Sequence, residues 1–264
     1  MGEAATDVPV PPALSLDGVS LKFAGVTALR DVSFDVRPGE LFSVIGPNGA
    51  GKTSLFNCIS GVYQPQHGRI SISGTDITGW RPHRVAKARV ARTFQNVEVF
   101  PTMTVLENLM LGRYNHLRSG LLRGALFFGP AAREEVANRA RIEEIVELLE
   151  IEHLRHSLVG SLPHGVRKRV ELGRALAMDP VLLLLDEPVA GMNQEETEDM
   201  VRFVLDVHDE LDMTIVLVEH DMGVVMDVSD RVAVLDFGQL IAVGPPAEIA
   251  TNEAVVASYL GAAG

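Results

Sequence analysis

Gly46, Pro47, Asn48, Gly49, Ala50, Gly51, Lys52 and Thr53 have the spacing G-x-x-x-x-G-K-[ST]. That spacing describes a loop built to hold phosphate. Its glycines allow the backbone to wrap closely, with N–H groups turned inward toward oxygen atoms. A helix starting at the end of the loop presents its positive N-terminal end to the same anion. In this chemistry Lys52 reaches the β- and γ-phosphates, and the Thr53 hydroxyl is a ligand for Mg²⁺. The setting agrees: Leu41 to Ile45 is an apolar run of strand length, and Ser54 to Ile59 continues as a helix. Gly46 through Ser54 is therefore the candidate nucleotide-binding stretch.

A second group of chemically competent residues closes the apolar run Leu182 to Leu185, which ends in Asp186, Glu187 and Pro188. Ligands of α/β sheets bind outside the carboxyl ends of the strands, so two acids at such an end face the phosphate site. Asp186 is the expected Mg²⁺ ligand, directly or through water. Glu187 points differently and is placed to polarise an attacking water. A third apolar run, Thr214 to Val218, leads into Glu219, His220 and Asp221. From the end of a third strand His220 could approach the γ-phosphate.

These groups need elements that position them. Leu14–Phe23 and Ala28–Val36 alternate apolar and polar residues about Gly25, which predicts an antiparallel pair leading into the phosphate-loop strand. Ser71, Gly74, Thr75 and Asp76 mark a further turn-punctuated β segment. From about Thr104 to Leu162 the pattern becomes helical, with Ile142, Ile145, Val146 and Leu149 at i, i+3, i+4, i+7. Within it Arg113, Arg118, Arg123 and Arg133 flank apolar residues at 121–122 and 125–128. Such a basic segment can lie on a membrane or a partner; a surface loop with a hydrophobic anchor is the simpler reading. Val181–Leu185, Thr214–Val218 and Arg231–Leu235 read as buried strands of a parallel sheet. Gly238 is expected in a hairpin between 232–235 and 240–243.

The chain has 264 residues, 47% hydrophobic, enough to bury a sizeable core. No apolar run approaches the ~20 residues of a membrane span. The start carries no secretion signal, although Met1, Gly2 and Thr6 fit a short acylation pattern. Pro9, Pro11 and Pro12 suggest a flexible leader over 1–13. The single cysteine, Cys58, suits a reducing cytosol and reads as a packing residue. A net charge of −12 argues against nucleic acid as a partner.

With these motifs in place, the chain resembles the ATP-binding subunits of ABC transporters from about Leu14 to Gly261. The resemblance implies a P-loop NTPase (RecA-like) α/β core with an antiparallel β subdomain and an inserted helical subdomain. It divides the chain into a core of 14–95 and 166–264 and a helical subdomain of 96–165. It implies ATP and Mg²⁺, an adenine stacked on Phe23, and Gln95 as the residue that senses the metal and links to membrane subunits. Asp186 and Glu187 match the magnesium aspartate and the catalytic glutamate, and His220 the switch histidine. Residues Ala190 to Asn193 match a loop that crosses the dimer interface. Leu162, Pro163, His164 and Gly165 stand where the family carries its LSGGQ signature. The stretches 91–96, 103–108, 188–193 and 258–261, and the long segment between Asn108 and Arg133, resemble branched-chain amino-acid (Liv-type) import cassettes, with urea and amide importers closely similar.

The resemblance implies a cytoplasmic subunit held at the membrane's inner face by permeases, with a solute-binding protein acting indirectly. Two cassettes close on two ATP molecules, each between one phosphate loop and the other's signature. The departure lies in that signature: Pro163 has neither hydroxyl nor N–H, His164 replaces a glycine and Val166 a glutamine. The trans site this chain completes is expected to be weakened, which favours a heterodimer over a homodimer. Backbone N–H groups near Gly165 could instead suffice. The rivals are a non-transport ABC ATPase and a nucleotide-gated regulatory subunit with little turnover.

Overall fold

The computed structural model describes residues 10–95, 97–113 and 130–261, with side chains of 130–135 and 260–261 left aside. Two sheets carry the molecule. The first is antiparallel, ordered β2-β1-β4-β5, from β1 (Leu14–Phe23), β2 (Val26–Val36), β4 (His67–Ile72) and β5 (Thr75–Asp76). In β1 alternate residues Leu14, Leu16, Val19 and Leu21 are buried while their neighbours face out, the expected consequence of the two-residue side-chain period. Ala13, the last leader residue, is buried too, and its N–H donates to the Val36 carbonyl.

The second sheet has the order β10-β9-β3-β8-β7-β6. It contains β3 (Leu41–Ile45), β6 (Val90–Arg92), β7 (Leu182–Asp186), β8 (Ile215–Val218), β9 (Arg231–Asp236) and β10 (Gln239–Gly244). All adjacent pairs run parallel except β9–β10, the hairpin that Gly238 announces. β3, β7 and β8 are buried at every position, as strands covered on both faces must be.

Helices α1 (Lys52–Ile59) and α2 (Pro82–Lys87) lie on the side facing the antiparallel sheet, where a core runs from Leu14 and Phe34 through Phe42 and Phe56 to Leu184. The other face is covered by α3 (Val105–Gly112), α4 (Pro130–Leu148), α5 (His164–Leu176) and α6 (Gln194–Leu211). The expected stripe Ile142, Ile145, Val146 and Leu149 is buried there. Helices α7 (Met222–Val228), α8 (Pro246–Ala250) and α9 (Glu253–Gly261) close a smaller cluster around Ile45 and Val234. The helical stretch is shorter than the pattern from Thr104 to Leu162 suggests, because after Leu149 only two short 3₁₀ turns form, at 152–154 and 159–161.

Arg113 corrects the reading of a basic surface segment. It is buried, and its guanidinium bonds Asn138 Oδ1, the Ala177 carbonyl and Asp179. Arg118 and Arg123 lie outside the described residues, as does the side chain of Arg133. Cys58 is buried on α1, and burial pushes its thiol up to about 12; it packs, as expected.

Candidate active site

The central strand β3 runs straight into the phosphate loop. Gly46 has φ +150°, and a Cβ there would lie 2.1 Å from the Leu235 carbonyl oxygen, so no larger residue fits. Gly51, at φ +104°, begins α1 with the Ala28 carbonyl 2.6 Å from where a Cβ would stand. Both positions therefore require glycine by conformation and by space. Asn48 and Gly49 are exposed at the crest, and Ala50 is buried beneath it. Thr53 is exposed in the first turn of α1, beside half-buried Ser54.

Lys52 arches back over the loop, its Nζ donating to the Gly46 carbonyl at 2.5 Å and the Pro47 carbonyl at 3.2 Å. Burial lowers its pKa, while the negative charges of Glu187 and Asp186 oppose that shift. The strand-end acids thus lie near enough to favour the charged form of the phosphate-loop lysine.

Asp186 closes β7 and is buried. Its Oδ2 accepts from Arg92 Nη2 at 2.7 Å, and both side chains are only 7% exposed. Arg92 also bonds Asn57 Oδ1 at 2.7 Å and Ser60 Oγ at 3.0 Å, tying β6 to α1. Glu187 follows with φ +49°, a left-handed conformation uncommon outside glycine. Its N–H donates to the Val218 carbonyl. Its Oε2 accepts from Gln95 Nε2 at 2.7 Å and lies 3.9 Å from His220 Nδ1. Such a backbone outlier beside convergent polar groups is where functional strain is found.

His220 is 64% exposed at its side chain. Its backbone is fixed by Glu219, which is fully buried: one carboxylate oxygen accepts from the Val189 N–H and the other from the His220 N–H. Burial raises the Glu219 pKa, and these N–H groups pull it down.

Two expected residues stand apart from this centre. Phe23, at the end of β1, is 42% exposed and packs T-shaped with Tyr63, ring centroids 4.9 Å apart and planes at 70°. Asn193 caps α6 through a reciprocal pair with Glu196, so its side chain fixes the helix start.

The signature residues form their own corner. Pro163 is the N-cap of α5 without a side-chain bond, Leu162 packs on the helical core, and Gly165 lies against Glu196. His164 Nε2 is 3.2 Å from the Ala190 carbonyl. Gln95, Val97, His164, Arg167, Ala190 and Gly191 line an open hollow of about 470 Å³. Among the described residues no hydrogen bond or ion pair joins 162–165 to the phosphate loop, so within one chain these two parts remain separate.

Nucleotide and metal fit what is present. At Gly46 and Gly51 a Cβ would strike the Leu235 and Ala28 carbonyls, so the absence of a side chain lets the loop take the tight path a phosphate cradle needs. Among the described residues no cluster of three or more His, Cys, Asp and Glu could hold a metal, so Mg²⁺ would take Thr53, Asp186 and Gln95 together with phosphate oxygens.

A parallel sheet with a phosphate loop at its central strand and acids at the neighbouring strand ends defines a P-loop nucleotide hydrolase. The chain belongs to the ABC transporter family, whose profile matches residues 29–190, and it is an ATPase of that family. A second profile, branched-chain amino acid ATP-binding cassette transporter, matches 239–264. The chain is 39% identical over 255 residues to the high-affinity branched-chain amino acid transport ATP-binding protein BraF of Pseudomonas aeruginosa, covering 96% of this chain and 99% of the relative. It is 38% identical to LivG of Escherichia coli, with the same shares covered. Among solved structures, a nucleotide-free ATP-binding cassette of an ABC transporter superposes with a TM-score of 0.81 at 31% identity, over 94% of this chain and 98% of that one. The ADP conformation of the cassette MJ1267 gives 0.81 at 31%, over 95% and 99%.

Arg92, Lys168, Glu171 and Glu219 escaped the sequence reading. The one signal that could have found Lys168 and Glu171 is their spacing of three on the buried face of α5, in line with Leu172 and Ala175.

Proposed function

We propose that this chain is the ATP-hydrolysing subunit of an importer for branched-chain or related amino acids, working with Mg²⁺ at the inner face of a membrane. Glu187 is the base that polarises the attacking water, Gln95 and His220 orient it and face the γ-phosphate, and Lys52 neutralises charge on the β- and γ-phosphates. Phe23 stacks on adenine. Mg²⁺, when bound, would be held by Thr53, Asp186 and Gln95 and would supply charge neutralisation at the transferring phosphate. The observation that carries this reading is the Glu187 carboxylate, held by Gln95 at 2.7 Å with His220 at 3.9 Å, within electrostatic reach of Lys52. The similarity to BraF and LivG over nearly the whole chain supports the choice of solute.

No helix among the described residues is long and apolar enough to cross a membrane, so permease subunits provide the passage and a solute-binding protein acts upstream of them. The separation of the signature from the phosphate loop within one chain supports completion of each site by a second cassette. Pro163 and His164 favour a partner with a different signature.

The test is uptake of labelled leucine into vesicles containing the assembled transporter. Uptake should require ATP inside reach of the cassettes and stop with Lys52→Ala. That substitution removes charge-assisted bonds worth about 1.5–3 kcal/mol each. Turnover unchanged in Lys52→Ala would reject the phosphate-loop assignment, and ATP-driven uptake of urea or an amide in place of leucine would reject the solute.

A further inference from the structure

Two charges of α5 are buried beneath the segment that carries Gln95. Lys168 is 3% and Glu171 1% exposed at the side chain, with Nζ 3.9 Å from Oε2. Lys168 Nζ donates to the Phe94 carbonyl at 3.1 Å and the Gln95 carbonyl at 2.9 Å. Glu171 Oε1 accepts from the Phe94 N–H at 3.1 Å and the Glu98 N–H at 3.2 Å. Four bonds from one helix therefore hold the backbone on both sides of Gln95. Burying an ion pair is costly, and swapping it for apolar residues is often neutral or stabilising, so fold stability alone gives little reason for this pair. Glu171 is also incomplete, because its buried Oε2 has no hydrogen-bond partner. Burial raises its pKa against the pull of Lys168 and the two amides.

Glu171 lies at a junction. It lines an apolar groove of about 490 Å³ together with Arg92, Phe94, Phe100, Leu111 and Arg174. The segment it grips sends Gln95 Nε2 to Glu187 Oε2. The helix that grips it begins at the signature residue His164, whose ring meets the Ala190 carbonyl.

We infer that Lys168 and Glu171 form a clasp that fixes the Gln95 segment to the signature helix, so that Gln95 is presented to Glu187 only while α5 is in place. Both are positioning residues: they touch the backbone of 94–98 and neither substrate nor metal. The inference rests on Glu187 being the hydrolytic base.

The experiment compares Glu171→Ala and Glu171→Gln in the full chain, reading amide exchange at Phe94 and Glu98, ATP affinity and kcat. In Glu171→Ala both amides lose their acceptor and should exchange faster. kcat should fall roughly ten- to hundred-fold, the cost of a small misplacement, while ATP affinity stays within about two-fold. Glu171→Gln keeps an acceptor oxygen and should recover much of both losses. If Glu171→Ala does not fold, Lys168→Met removes the two donors instead and should show the same split between kcat and affinity. Unchanged exchange, or faster exchange with unchanged kcat, or equal damage in Glu171→Gln, overturns the clasp. Exchange does not depend on which residue is the base, whereas near-normal turnover of Glu187→Gln rejects the base alone, so the two failures are distinguishable.

Discussion

Gln95 Nε2 donates to Glu187 Oε2 at 2.7 Å, and the sheet register explains why. β6 pairs with β7 in parallel, Arg92 opposite Leu184. Each chain continues three residues past that pair, one to Gln95 and the other to Glu187, so the two side chains leave the same edge of the sheet together. The residue pairing is thus built by strand register and not by proximity in sequence.

Phe23 is 42% exposed beside its T-shaped partner Tyr63, which leaves ring surface accessible to adenine. Base–aromatic stacking is worth about 1–3 kcal/mol, which makes Phe23→Ala weaken ATP binding by roughly ten-fold. Phe23→Tyr and Phe23→Trp should retain affinity. Calorimetric titration with ATP decides it: equal affinity in Phe23→Ala would place the adenine elsewhere.

The signature offers a prediction in trans. Pro163→Ser with His164→Gly restores a hydroxyl and an N–H at the start of α5, and it removes the His164 contact with Ala190. A hydrogen bond to a charged group is worth about 1.5–3 kcal/mol. Turnover of the mixed pair should rise when the partner cassette has its own phosphate-loop lysine and stay flat when that lysine is removed. A gain that survives removal of the lysine, or no gain at all, shows that Pro163 is a neutral variant of a working signature.

Cys58 links packing to alkaline stability. Its thiol is held near 12 in the fold against an ordinary 9.0. Above pH 9 the unfolded chain loses this proton while the native state keeps it, so stability falls as pH rises toward 12. At pH 10 the loss is about 1.4 kcal/mol. Denaturant unfolding of wild type and Cys58→Ala across pH 8–10.5 should show a steeper alkaline decline in wild type. Parallel profiles would mean that the thiol is not desolvated.

How much of this was legible in the sequence follows from how each feature is built. The phosphate loop, Asp186–Glu187 and His220 are contiguous with the strands that position them, so an apolar run followed by polar residues reveals them directly. The two-residue period of Leu14–Phe23 and the hairpin at Gly238 are legible for the same reason. Arg92 was not, because its meaning lies in Asp186, Asn57 and Ser60, which only the fold brings to it. Arg113 looked like part of a basic surface segment because its partners Asn138 and Asp179 come from other elements. Glu219 sits between Val218 and His220 as one more polar residue after a strand; only its complete burial and its bonds to Val189 and His220 mark it as the support of both loops.

The central claim is that Glu187 is the base of an ATP-hydrolysing site, and Glu187→Gln tests it most directly. The substitution keeps the shape and a hydrogen-bond acceptor for Gln95 while removing the carboxylate. ATP binding should be retained, phosphate release should fall by about 10²–10⁴, as expected for loss of a general base, and the protein should accumulate as a closed dimer with ATP. Phosphate release near the wild-type rate would contradict the account.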